Sequence, residues 1–346
     1  MLKRLHVCNF RCHEDFELSD LGSCTLLLGD NGRGKTSLLE AVYFLSRCRS
    51  FRTHQSRELL RWGGQQFGVA GWFENCSYHK LKVEWTEESR NLAVDQSENL
   101  TFREFWGLLP SVVFQNNDRQ IVLGPAQARR QWADGLLASM YPGYLGQVQR
   151  AQLLLKQKNA LLRQENPDRA LWDSLTQQLA ELSRTLWEAR GVFTQQAGPV
   201  LEQFYQSLAG ERESISLHYE SPLPQLLEAT PDSLWQRERE RGLARLGPHR
   251  DDWRITLFDK SLRDFGSEGQ VKTAALALRL LESKLIREAT DRDLILLLDD
   301  VLTELDAERQ SRFWKQLPAG DQIIYATTRV PHLEFAAAPQ EIRLGP

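Results

Sequence analysis

The run Gly29-Asp30-Asn31-Gly32-Arg33-Gly34-Lys35-Thr36 matches the phosphate-binding pattern GxxxxGK[ST] at every position. Its residue types suit one chemistry. Glycines carry no Cβ, so the backbone can curl closely around an oxyanion. The N–H groups of Gly32 to Thr36 would converge at the positive end of a helix that continues through Ser37. Lys35 would bring a mobile positive charge to the β- and γ-phosphates, and the Thr36 hydroxyl would be a Mg²⁺ ligand. The pattern predicts a site for ATP and Mg²⁺ built from Gly29, Asp30, Asn31, Gly32, Arg33, Gly34, Lys35, Thr36 and Ser37.

A second cluster completes such a site. Leu294-Ile295-Leu296-Leu297-Leu298-Asp299-Asp300 reads as an apolar strand ending in paired acids. Asp299 would hold the metal, and Asp300 would position or deprotonate the attacking water. Adjacent strand residues point to opposite faces, so a local turn must aim both acids at one site. Gln115 ends another apolar strand, Pro110–Gln115, and is a candidate to touch both Mg²⁺ and water. Ser267-Glu268-Gly269-Gln270 opens a helical run. There the Ser267 hydroxyl and the Gly269 amide could donate to a γ-phosphate, although Ser267 also suits an ordinary N-cap. Val301–Asp306 resembles the D-loop of ABC-type ATPases, which contacts a partner subunit, and Asp306 equally suits the N-cap of a helix over 307–316. Thr327-Thr328 follows a buried strand, and Thr328 is the candidate γ-phosphate contact there.

These residues need elements to hold them. The runs 2–10, 16–18, 25–28, 67–73 and 79–85 read as strands around one early helix. The pattern turns helical over 127–140, 144–166 and 169–208, with breaks expected at Pro167-Asp168 and near Gly191 and Gly198. Residues 211–245 carry little signal. Strand and helix patterns return at 253–258, 270–290, 294–298 and 323–326. The expected fold is α/β, an ABC-type P-loop ATPase core of mixed sheet and helices with an inserted α-helical arm. Residues 1–125 and 246–346 form the discontinuous core, and 126–245 form the arm.

Composition bounds the alternatives. The 346 residues are 41% hydrophobic and 26% charged, which is ordinary for a globular chain. No apolar run approaches the roughly 18 residues of a membrane span. The start of the chain lacks a signal-peptide pattern. Five cysteines without a CxxC pair fit a reducing, cytoplasmic setting better than a zinc site. With a net charge of −3, any nucleic-acid surface must be a local patch.

The order of motifs resembles the RecF family of bacterial DNA replication and repair ATPases nearly end to end. The resemblance rests on the P-loop with its following Ser-Leu-Leu-Glu-Ala-Val-Tyr, Cys48-Arg49-Ser50-Phe51-Arg52, Ser111-Val112-Val113-Phe114, Gly124-Pro125 with Arg129-Arg130, and Asn159-Ala160-Leu161-Leu162. It is most specific at Gly247-Pro248-His249-Arg250-Asp251-Asp252, Ser267–Gln270 and Asp299-Asp300-Val301 with Glu304-Leu305-Asp306. The chain departs from the pattern at Asn116–Arg119 and at Glu268, where Gln is usual.

The resemblance implies a homodimer joined by ATP, with Ser267 and Gly269 of one copy closing over the nucleotide of the other. It implies binding to double-stranded and gapped DNA and cooperation with RecO and RecR in loading RecA. It further implies support of the SOS response, slow DNA-stimulated ATP hydrolysis, and no membrane partner. The strongest local basic run holds Arg47, Arg49, Arg52 and Arg57, with Arg129 and Arg130 as further candidates for DNA phosphates. The run could instead be a solvated face or meet the nucleotide or a partner. Two other readings compete: an SMC-like DNA-bridging protein, for which the helical insertion is short, and an ABC transporter subunit, which would carry a switch His where Thr327-Thr328 stands.

Overall fold

The computed structural model describes residues 1–210, 213–303, 305–331 and 338–345. Their strands, in chain order, are β1 (Leu2–Phe10), β2 (His13–Leu18), β3 (Cys24–Leu28), β4 (Gln66–Phe73), β5 (Lys80–Thr86), β6 (Arg90–Val94) and β7 (Ser111–Gln115). They continue with β8 (Ile215–Glu220), β9 (Asp252–Leu257), β10 (Lys260–Ser261), β11 (Ile295–Asp299), β12 (Gln322–Thr327) and β13 (Gln340–Arg343). The longer helices are α1 (Lys35–Arg47), α2 (Ala126–Met140), α3 (Tyr144–Leu162), α4 (Arg169–Ala209), α5 (Pro231–Arg241), α6 (Glu268–Thr290) and α7 (Ala307–Gln316).

Two compact units result, Met1–Asn117 with Glu282–Pro346, and Asp118–Leu281. The first holds two five-stranded sheets, ordered β2-β1-β4-β5-β6 and β13-β3-β12-β11-β7. The former is antiparallel and alternates buried with half-exposed residues. The latter is parallel, and its central strands β11 and β12 are buried almost throughout, as a strand covered on both faces must be. Helix α1 packs against both sheets. Leu38, Leu39, Val42, Phe44 and Leu45 join one core with Val7, Val69 and Val83 of the antiparallel sheet and Leu297 and Ile324 of the parallel sheet. Each such burial contributes roughly 1.5–3 kcal/mol.

The second unit is helical around the small antiparallel sheet β10-β9-β8. Its spine is α4, whose 41 residues span roughly 60 Å. The helix runs unbroken past Gly191, Gly198 and Pro199. Its buried residues Trp172, Leu175, Leu179, Ser183, Leu186, Arg190, Phe193, Ala197, Leu201, Phe204 and Leu208 recur every three or four positions. That apolar seam outweighs the helix-breaking residues, and Pro199 is exposed, away from the seam.

The division falls at 117/118 and 281/282 rather than at 125/126 and 245/246. The reason is β8, hidden in the uninformative stretch 211–245. It pairs with β9 along its whole length, from Ile215–Leu257 to Glu220–Asp252, and so draws residues beyond 246 into the helical unit.

Candidate functional site

Strand β3 ends at Leu28, and the chain turns through Gly29–Gly34 before α1 begins at Lys35. Gly32 and Gly34 stand at φ 85° and 83°, where a Cβ is strained. A Cβ on Gly34 would also come within 2.5 Å of His13 Nε2 and 2.7 Å of Cys12 Sγ. Glycine thus suits the backbone at both positions, and a side chain at Gly34 would also have to displace His13 and Cys12. Lys35 Nζ donates to the carbonyls of Gly29 (2.6 Å) and Asp30 (2.9 Å), spanning the loop it would share with a phosphate.

Parallel pairing sets Asp299 of β11 level with Gln115 of β7 and Ala326 of β12. Asp299 Oδ1 accepts a 2.7 Å hydrogen bond from Thr36 Oγ1. Burial pushes the Asp299 carboxyl above its usual range, against the Thr36 hydrogen bond and the charges of Arg52 and Lys35. The next residue, Asp300, has φ 51°, and its N–H donates to Ala326 O at 2.9 Å. This is the turn needed to bring two adjacent acids to one place. Both line an open cavity of about 780 Å³ with Asn31, Gly32, Arg33, Gly34, Lys35, Thr36, Ser37, Gln115, Asn116 and Asn117. A hydroxyl beside a half-buried carboxylate is an all-oxygen donor set suited to a hard cation such as Mg²⁺.

Gly29 and Asp30 line a neighbouring cavity with Arg33 and Thr328. Thr328 is exposed there and does not line the cavity of Asp299 and Asp300.

In the helical unit, Ser267 lies at the start of α6 and is exposed. Its Oγ accepts from Gln270 N at 3.3 Å, and its own N–H donates to Gln270 Oε1 at 3.0 Å. This reciprocal pair is a capping box with Gln in the third position. Gly269 O accepts from Thr273 Oγ1 at 2.8 Å. The Glu268 carboxylate pairs with Lys272 at 3.0 Å, and this contact holds its pKa below the usual range. Asp306 caps α7, accepting from Arg309 N at 2.8 Å. Glu304, beside it, lies outside the described residues.

The basic residues divide sharply. Arg49, Arg52 and Arg57 are exposed. Arg47 is buried, donates to Ser111 O at 3.1 Å and lies over the Trp106 ring. Arg129 is buried in a two-bond pair with Asp252 (2.7 and 3.0 Å). Arg47 and Arg129 are therefore not surface phosphate contacts, because both guanidiniums are buried in the fold. Arg130 is half-buried and donates to Asp251 O at 2.7 Å.

A family model described as RecF/RecN/SMC N terminal domain matches residues 1–344. A protein called DNA replication and repair protein RecF from Synechococcus sp. (strain JA-3-3Ab) is 34% identical over 97% of this chain and 93% of its own. The protein of that name from Halalkalibacterium halodurans is 32% identical over 96% and 94%. The chain belongs to the RecF family. A solved structure described as the recombination mediator protein RecF-ATPrS in RecFOR pathway superposes with TM-score 0.87 at 25% identity, covering 96% of this chain and 94% of that one. An Smc head bound to the C-winged helix domain of ScpA shares the fold, at TM-score 0.55 and 14% identity over 95% and 90%. The fold is thus the ABC-type ATPase core of RecF and SMC heads, with the long helix α4 as its arm.

Within this family member, sequence reasoning missed how α1 anchors its surroundings. Glu40 on α1 is fully buried and accepts from Arg11 (2.8 and 2.7 Å), from Ser50, and from Arg52 at 3.5 Å. Arg11 and Arg52 thereby line the nucleotide-sized cavity. A lone Glu inside an amphipathic helix carries no local signal of that role. The segment Gly247–Asp252 also finds its chemistry. Asp251 accepts from Arg190 Nη1 (2.5 Å), Tyr219 OH (2.6 Å) and Ser221 Oγ (2.5 Å), binding α4 to β8.

Proposed function

We propose that the chain is an ATP-switched DNA-binding protein of replication and recombinational repair. The observation that carries the reading is the Thr36–Asp299 hydrogen bond, with Lys35 and Asp300 lining the same cavity. That is the donor set an ATP·Mg²⁺ complex needs. The backbone amides of Gly32–Thr36 and Lys35 bind and orient the phosphates. Thr36 and Asp299, with Gln115, would hold the metal. Bound Mg²⁺ would neutralise developing phosphate charge, and Asp300 orients and deprotonates water. The relatives' shared name and the RecF-ATPrS neighbour support the same reading.

The ATP site is completed by a second copy. Ser267 and Gly269 at the α6 start meet the γ-phosphate held by the partner's loop, and Asp306 lies at the same interface. The pairing of Glu268 with Lys272 tempers its repulsion of that phosphate. The resulting homodimer binds double-stranded and gapped DNA through exposed arginines such as Arg49, Arg52 and Arg57. It works with RecO and RecR to place RecA, supports the SOS response, and hydrolyses ATP slowly, faster with DNA, in the cytoplasm. Among the described residues, no helix is long and apolar enough to cross a membrane.

Sedimentation of wild type and Ser267→Arg with ATP and gapped DNA tests the composite site. ATP-dependent dimers in wild type alone are expected. Equal dimerisation of the variant sinks the reading. Tight DNA binding by Lys35→Ala, with ATP-dependent dimers intact, would sink it from the other side.

A further inference from the structure

Two chemically different sets of residues line the cavity. One is the glycine loop with Lys35, Thr36, Asp299 and Asp300. The other is Glu58, Leu60 and Trp62. Among the described residues, Trp62 is the only aromatic one lining it, and it is 98% exposed. A Trp carries the largest apolar surface of any side chain, and leaving it wholly in water forgoes that burial. An isolated exposed aromatic is unremarkable by itself. This one differs in its mounting and its place.

The backbone beneath it is held firmly. Arg11 N donates to Leu59 O at 2.6 Å, and Arg61 N donates to Asn9 O at 2.9 Å, so the segment pairs with the C-terminal end of β1. Leu60 bridges Phe10 in the same register. Gly64 N then donates to Arg61 O at 2.9 Å, closing a turn with Gly63 at φ 81°. Trp62 sits at the second position of that turn. Arg61 is drawn aside by Glu14 at 2.9 Å. The other flat groups lining the cavity are the guanidiniums of Arg11, Arg33 and Arg52; Arg11 is committed to Glu40 and to Glu58 O, and Arg52 to Glu40. Among the described residues, the indole is thus the one aromatic face that lines this cavity, and its backbone is held on both sides.

We infer that Trp62 is the base platform of the site: its indole stacks on the purine of the nucleotide whose phosphates lie on Gly29–Thr36. The inference rests on the nucleotide reading above and adds to it the residue that recognises the base. Stacking needs only a π-face, so the platform favours nucleotides over bare polyphosphate without selecting among purines.

Calorimetric titration of wild type, Trp62→Ala and Trp62→Phe with Mg²⁺ and either ATP or inorganic tripolyphosphate tests it. Trp62→Ala is expected to weaken ATP about 5- to 20-fold. Trp62→Phe should stay within about 3-fold of wild type, and tripolyphosphate within about 2-fold for every form. Unchanged ATP affinity in Trp62→Ala, beside normal wild-type binding, overturns this inference alone. Equal weakening of ATP and tripolyphosphate does the same, since the residue would then act on the loop. Failure of wild type to bind ATP overturns the nucleotide reading and this inference with it.

Discussion

Two charge-rich regions of this molecule have opposite construction. Around Arg190 in the helical unit, the guanidinium and its two acids are matched inside the fold. Arg190 donates to Asp134 (2.8 and 3.0 Å), Asp251 and Pro248 O, and Tyr144 and Tyr219 close over the two acids. Nearby, Lys158 and Glu238 are both fully buried and 2.8 Å apart, with Glu238 also taking Trp172 Nε1 and two backbone N–H groups. The cavity around Asp299 is open, and Lys35 spends its donors on loop carbonyls. Buried charges need partners of good geometry to repay desolvation, and a complete set has nothing left to offer a ligand. Loop carbonyls and a hydroxyl can be exchanged for phosphate and metal. The lesson is that density of charge does not mark function; exchangeable partners do.

The comparison can be broken in four places. Asp300→Asn should lower ATP turnover about 10²- to 10⁴-fold while ATP binding and melting temperature hold. A single-turnover assay beside a binding titration reads both, and a parallel loss of stability would make Asp300 structural.

In the closed region the effect should reverse. Arg190→Ala leaves Asp134 and Asp251 buried without their cation and should cost about 3–5 kcal/mol by urea unfolding. ATP affinity of the folded variant should be unchanged.

His249 adds a pH signature to the same region. Burial, with Arg250 nearby, pushes its imidazole down to about 4. The unfolded chain takes up a proton near pH 6.5 that the folded chain refuses until about pH 4, so stability present above pH 6.5 is lost as pH falls through that window. His249→Gln should flatten the decline by about 1–3 kcal/mol, read from unfolding at pH 7 and pH 4.5.

The smallest expected effect concerns the surface arginines. Arg49→Ala and Arg57→Ala should each weaken duplex binding a few-fold and reduce the logarithmic salt slope by about 1. Anisotropy across a salt series measures it. Unaltered slopes in both would remove this face from the DNA surface.

Much of the first unit was legible because its signals are local. The loop Gly29–Thr36, the strand ending Asp299-Asp300 and the α1 pattern each announce themselves within a dozen residues. The Asp300 turn could also be foreseen, since two neighbouring acids cannot share a strand face. The fate of the arginines was not. Arg47 and Arg49 look alike in sequence, yet Arg47 faces inward on the last turn of α1 and Arg49 lies beyond its end. Arg129 is decided by Asp252, far along the chain. Strand β8 escaped because Ser216, His218 and Glu220 dilute its apolar signal, and its identity comes from pairing with β9. Trp62 escaped because a single aromatic gains meaning only from the cavity it borders.

Helix α1, which begins at the phosphate loop, is covered on both faces by sheet. A cradle mounted this way has no soft side. Its amides should exchange with solvent only when the whole unit opens, so heating would leave the grip on phosphate intact almost to the melting point and then remove it at once.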